Sequence, residues 1–158
     1  MLERFRWTVV AAFALMLGPA ALAADTKAKA PASEQPHRLV IQVDQNDPAV
    51  MNLALNNATN IIEYYRGKGE DVDIDLVTYG PGLYMLRADT SPVQARLKQL
   101  KDYAFPSTIQ FSACNVTRVG MEKKEGHPVN MVSEAVIVPS GVVHLMELQE
   151  KGWSYLRP

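Results

Sequence analysis

Residues 109–126 read IQFSACNVTRVGMEKKEG, and at the chain's single cysteine the hydrophobic period changes from about 2 to about 3.6. A short run of apolar and polar residues leads to Ala113-Cys114; Val116, Val119 and Met121 then follow a helical pattern, and Gly126 closes it. Cys114 is therefore expected where a strand hands over to a helix, on the first helical turn. Unpaired backbone N–H groups and the positive end of the helix dipole point there, and both favour a thiolate over a thiol. A reactive sulfur is one reading of Cys114. A packed, inert cysteine is the other, since free Cys is among the most buried residue types.

Working outward, strand and helix signals alternate on both sides. Arg38 to Val43 is a β-branched run, followed by Asp47 as N-cap and Pro48 at the first position of a helix to about Arg66, which Gly67 and Gly69 end. Val72 to Thr78 alternates strictly, which predicts a strand with one face partly wet or near an edge. Tyr79-Gly80-Pro81-Gly82 turns, with Gly82 free to adopt positive φ, and Leu83 to Arg87 is a short helical turn. Ser91 caps a second helix from Pro92 to Tyr103; Thr108 to Ala113 is the third strand and Asn115 to Lys124 the third helix. Ala135 to Pro139, Gly141 to Lys151 and Trp153 to Leu156 complete the series as strand, helix and short strand. This order predicts an α/β fold with a mainly parallel sheet of about five strands, helices on both faces and right-handed crossovers.

Ligands and reacting groups gather at the carboxyl ends of parallel strands, where three loops are candidates: Asp44 to Asp47, Tyr79 to Gly82, and Ser112 to Asn115. Gly80, Pro81 and Gly82 allow a close backbone approach and form either one wall of a small pocket beside Cys114 or a plain tight turn. Neither a dinucleotide nor a P-loop spacing is present. Asn115 and Thr117 offer polar groups beside the sulfur, or simply cap the helix. Arg118, four residues after Cys114, either favours the thiolate or pairs outward with Glu122. His37, His127 and His144 have no metal-site spacing, no Ser-His-Asp order appears, and no metal or cofactor is expected.

The first 23 residues are read as an address. Arg4 and Arg6 precede an apolar stretch from Trp7 to Leu17, and Ala21-Leu22-Ala23 fits signal peptidase, so residues 1–23 are expected to be cleaved and the protein exported to a periplasm. Residues 24–36 form a flexible leader, and 37–158 a single domain. Losing Glu3, Arg4 and Arg6 turns a whole-chain balance of 16 basic and 17 acidic residues, −1, into −2. Such a mixed balance gives no electrostatic reason for nucleic-acid binding, and no segment beyond the address suggests stable membrane insertion. One cysteine rules out an internal disulfide. The apolar residues Val142, Val143, Leu145, Met146 and Leu148, with Trp153 and Tyr155, are read as core or subunit contact.

The segments TYGPGLYML (78–86), FSACNVTRVGMEKKEG (111–126) and VIVPSGVVHLMELQEKGWSYLRP (136–158) resemble the DsrE/DsrF-like family, in particular its exported single-domain members. The resemblance runs from about Leu39 to Pro158 and implies a flavodoxin-like three-layer α/β sandwich. It implies that Cys114 accepts sulfane sulfur as a persulfide and passes it on, as a sulfur carrier or sulfurtransferase component. It also implies that Gly80 and Gly82 shape the site, and that the chain forms a homo-oligomer, trimer or hexamer. The expected partners are a sulfur donor or acceptor protein, or a small sulfur compound. A thiol needs no resolving cysteine for that chemistry. Two alternatives stay open: a non-catalytic module binding a small ligand or partner near Gly80 to Gly82, and a thiol redox sensor.

Overall fold

The computed structural model describes residues 36–158, so the expected signal peptide and nearly all of the leader lie outside the described residues. The strands are β1 (His37–Val43), β2 (Val72–Thr78), β3 (Thr108–Cys114), β4 (Ala135–Val138) and β5 (Ser154–Leu156). Between them come α1 (Pro48–Lys68), a 3₁₀ helix (Gly80–Leu86), α2 (Gln94–Ala104), α3 (Asn115–Glu125) and α4 (Gly141–Glu150).

Local chemistry sets the helix limits. Asp47 Oδ1 accepts the Ala49 N–H at 2.7 Å with Pro48 at the start of α1. The helix stops at Gly69, whose φ of 73° is left-handed; Gly67 stays helical, so only one of the two expected glycines ends it. Its buried face is Met51, Ala54, Leu55, Ala58 and Ile62, and each large side chain there is worth about 1.5–3 kcal/mol in burial. The second helix starts at Gln94, two residues after the expected Pro92, with Val93 as its N-cap. Ser91, expected to cap it, donates its hydroxyl to Met85 O at 2.6 Å and accepts from Val93 N–H at 3.3 Å, which keeps the chain in a turn until Val93.

The strands lie in the order β4-β3-β2-β1-β5, with every neighbouring pair parallel. This is an α/β flavodoxin-like three-layer sandwich. β2 is its central strand, not a strand near an edge. The strict alternation in β2 has another cause: Ile74 and Leu76 face the main core, whereas Asp73 and Asp75 sit on the opposite face, where Asp75 is nonetheless buried.

Three steps, β1 to β2 to β3 to β4, move the same way across the sheet, and right-handed crossovers put their helices on one face. There Leu55, Ile62 and Leu97 pack against Ile41, Leu76 and Phe111. The last crossover steps back over the sheet to the far side of β1, which places α4 on the other face. Leu145 and Leu148 of α4 meet Val40 and Val77 there, with Tyr79 and Trp153 at the margin. Val142, Val143 and Met146 point outward and are about half exposed, so the apolar residues of α4 divide between core and surface.

Candidate functional site

Loops from adjacent strands diverge at one place in this topology. The chain leaves β3 for α3 on one face, and leaves the neighbouring β4 for α4 on the other. Divergence of that kind opens a crevice at the carboxyl ends of the two strands, the usual ligand position in an open α/β sheet. Cys114 stands there. It is the last residue of β3, pairs in register with Val138 of β4, and is the N-cap residue of α3.

The sulfur therefore faces the N-termini of two helices. Burial works against ionisation, because Cys114 is only 4 % exposed. The Thr117 hydroxyl and the backbone N–H groups of Gly141, Thr117 and Val116 outweigh that penalty, and the thiol pKa is lowered from its ordinary value. The neutral side chain makes no capping hydrogen bond, so the effect of these donors is on the charged form. Gly141 is tightly enclosed: a Cβ there would lie 3.0 Å from Tyr79 Cβ and 3.2 Å from Cys114 Cβ, so these neighbours would have to give by a few tenths of an ångström.

The glycine loop reaches the site through Thr117. Gly80 N–H donates to Thr117 Oγ1 at 2.9 Å, which occupies a lone pair and leaves the hydroxyl proton to face the sulfur. The two glycines differ in role from the expectation. Gly80, not Gly82, has the left-handed backbone, at φ 51°. Gly82 is required by close approach, since a Cβ would meet Val43 O at 2.1 Å and Asp44 Cα at 2.8 Å. Gly80, Pro81 and Thr117 line an open groove of about 630 Å³ with Asn46, Tyr84 and Met121. Cys114 is not one of its walls, and Thr117 is the residue shared by groove and sulfur.

Asn115 and Arg118 are engaged with each other. Arg118 Nε and Nη2 donate to Asn115 Oδ1 at 3.1 and 2.9 Å, and Nη1 donates to Glu122 Oε1 at 2.6 Å. Of the two roles open to Arg118, pairing with Glu122 is the one seen. His127 is exposed, with Nδ1 3.0 Å from Pro128 O, and His37 stacks on Tyr65. Neither is among the groups that act on the sulfur. Among the described residues, no group of three or more His, Cys, Asp or Glu is arranged to hold a metal, and no helix is long and apolar enough to cross a membrane.

Two contributors escaped the sequence. Gly141 follows Cys114 by a whole helix, loop and strand, and only the order of β3 and β4 brings them together; the signal was a small residue at a helix start, shortly after a strand. Tyr79 packs on the same spot, and burial, then Asp44 and Tyr155, raise its pKa, so it stays a neutral phenol at neutral pH.

No family model matches the chain, and no curated protein matches it. Among solved structures it is similar to MTH1491 of Methanobacterium thermoautotrophicum, described as a protein of unknown function. The two are 28 % identical with a TM-score of 0.64, over 77 % of this chain and 99 % of that one.

Proposed function

We propose that this is an exported DsrE/DsrF-like sulfur carrier, in which Cys114 takes up sulfane sulfur as a persulfide and hands it on in a periplasm. The observation that carries the reading is the convergence of donors from two helix N-termini and the Thr117 hydroxyl on a lone sulfur. A thiolate is the attacking species in sulfur exchange, and those donors favour it. With thiosulfate as donor, Sγ⁻ attacks the outer sulfur, an Sγ–S bond forms, and the S–SO₃ bond breaks. Sulfite leaves with the electron pair, total charge is unchanged, and no oxidant is needed. The product Cys–S–S⁻ keeps its negative charge beside the same donors. Export is supported by the basic, apolar and small-residue pattern of residues 1–23.

Burial of Cys114 favours a second reading, a non-catalytic module with a packed thiol and a ligand or partner in the groove beside Gly80 and Pro81. Intact mass spectrometry after incubation with thiosulfate or polysulfide separates the two. The carrier gains about 32 Da per sulfur, lost on reduction and absent from Cys114→Ser. A wild-type protein that stays unmodified, with a thiol that resists alkylation until unfolding, overturns the carrier and leaves the packed module.

A further inference from the structure

Asp75 is a buried acid that the site described above does not use. It lies mid-strand on β2, on the face beneath α4, and is 3 % exposed. Oδ2 accepts from His144 Nε2 at 2.8 Å and from Gln110 Nε2 at 3.1 Å, and Gln110 Nε2 also reaches Ser112 Oγ at 2.9 Å. Among the described residues, Oδ1 is buried without a hydrogen-bond partner. Gln110 Nε2 can only donate, which makes Oδ2 the accepting oxygen in both of its contacts. A half-satisfied carboxylate beneath an apolar helix is a poor way to gain stability, because an apolar pair of the same volume there would be neutral or better. Its use is more readily found in direction.

Leu145 and Leu148 hold α4 to Val40 and Val77 through apolar contacts, whose attraction has no direction of its own. The His144–Asp75 bond adds a directional tie to a strand in the middle of the sheet. His144 also closes the first turn of α4, its N–H donating to Ser140 O at 2.9 Å, and Gly141 lies within that turn. We propose that Asp75 and His144 are positioning residues for Cys114: their bond seats the first turn of α4 so that the Gly141 N–H meets the sulfur. They touch neither the sulfur nor a substrate, and the inference rests on the reading of Cys114 as a working thiolate.

The test is the pH profile of Cys114 alkylation by iodoacetamide, followed on the full chain by intact mass, with thermal melts to confirm folding. His144→Leu removes the bond at similar volume. Its apparent thiol pKa is expected to rise by about half a pH unit, with alkylation at neutral pH slowed about two- to threefold. His144→Gln, whose amide can still donate to Asp75, is expected to keep the wild-type profile. A folded His144→Leu with an unchanged profile overturns the positioning role. Should His144→Leu not fold, Asp75→Val, which has no acceptor for His144 Nε2, takes its place with the same expected rise, and an unchanged profile there overturns the role equally. The two ideas fail separately. A wild-type thiol with a depressed pKa that takes no sulfur from thiosulfate or polysulfide defeats the carrier and leaves the clamp standing. Sulfur uptake with no response to His144→Leu defeats the clamp alone.

Discussion

Gly82→Ala is the sharpest perturbation of the frame that holds the site. The added Cβ would sit 2.1 Å from Val43 O, 2.5 Å from Val43 C and 2.8 Å from Asp44 Cα, against the roughly 3.5–4.0 Å of an ordinary carbon contact. All three are backbone atoms at the end of β1, so no rotamer change relieves the clash. Instead the 3₁₀ helix must lift by about an ångström or more. Overpacking costs typically about 1–3 kcal/mol, and unyielding neighbours put this case near about 3 kcal/mol. For a domain of about 120 residues, at roughly 4 °C per kcal/mol, the melting temperature should fall by about 12 °C. The same lift draws the Gly80 N–H from Thr117, so the Cys114 thiol should alkylate more slowly in whatever fraction stays folded. Gly67→Ala is the control: its Cβ meets nothing within 4 Å, it lies within α1, and the change should leave stability equal or raise it by about 0.5 kcal/mol. Far-UV circular dichroism melts of both variants decide the matter. A Gly82→Ala protein melting within about 2 °C of wild type would refute the steric argument.

Other changes probe the sulfur and the ion cluster. Thr117→Val removes the hydroxyl at nearly constant volume; the thiol pKa should rise towards its ordinary value, read as an upward displacement of the alkylation profile, at about 1 kcal/mol of stability for the Gly80 N–H left unpaired. Arg87 is almost wholly buried and binds Asp89 at 2.9 and 2.7 Å and Glu125 at 2.7 and 2.9 Å. Its guanidinium holds Asp89 down to about 2 and lowers Glu125 as well. Both carboxyls are stronger acids folded than unfolded, so their stabilisation is present above about pH 4 and drains away as pH falls towards 2. Arg87→Met should lower stability at neutral pH by about 2 kcal/mol, less than for a fully buried pair because Asp89 can rehydrate. It should also flatten the pH dependence in that acid window, and urea melts at neutral, mildly acid and strongly acid pH check both parts.

Sequence periodicity carried the element order because each signal is local. The break in period at Cys114, the Asp47-Pro48 start of α1 and the Gly126 stop of α3, at φ 76°, need only neighbouring residues. Where a residue's role depends on something distant, local reasoning failed. The alternation in β2 reads as a partly wet face or an edge because buried Asp75 and an exposed acid look alike, and its partner His144 is 69 residues away. The positive φ falls on Gly80 and not on Gly82, whose demand comes from Val43 on the neighbouring strand β1. Cys114 was legible as a residue at a helix start, but the second helix start facing it depends on strand order, which no window of the sequence contains.

The strand order also bears on how the domain is assembled. β1 to β4 add one after another, each beside its predecessor, so four-fifths of the sheet can grow along a single advancing edge with one crossover closed at each step. β5 breaks the sequence. Its three residues must find the opposite edge of β1, and the contacts that receive it, Tyr155 to Gln42 and Arg157 to Asp44, each span 113 residues. The crossover that carries it is α4, the helix whose N-terminus faces Cys114. The sulfur's two sets of donors thus differ in range: Thr117 and the start of α3 come with β3 itself, whereas the Gly141 N–H comes with the crossover that leads to the longest-range pairing in the domain.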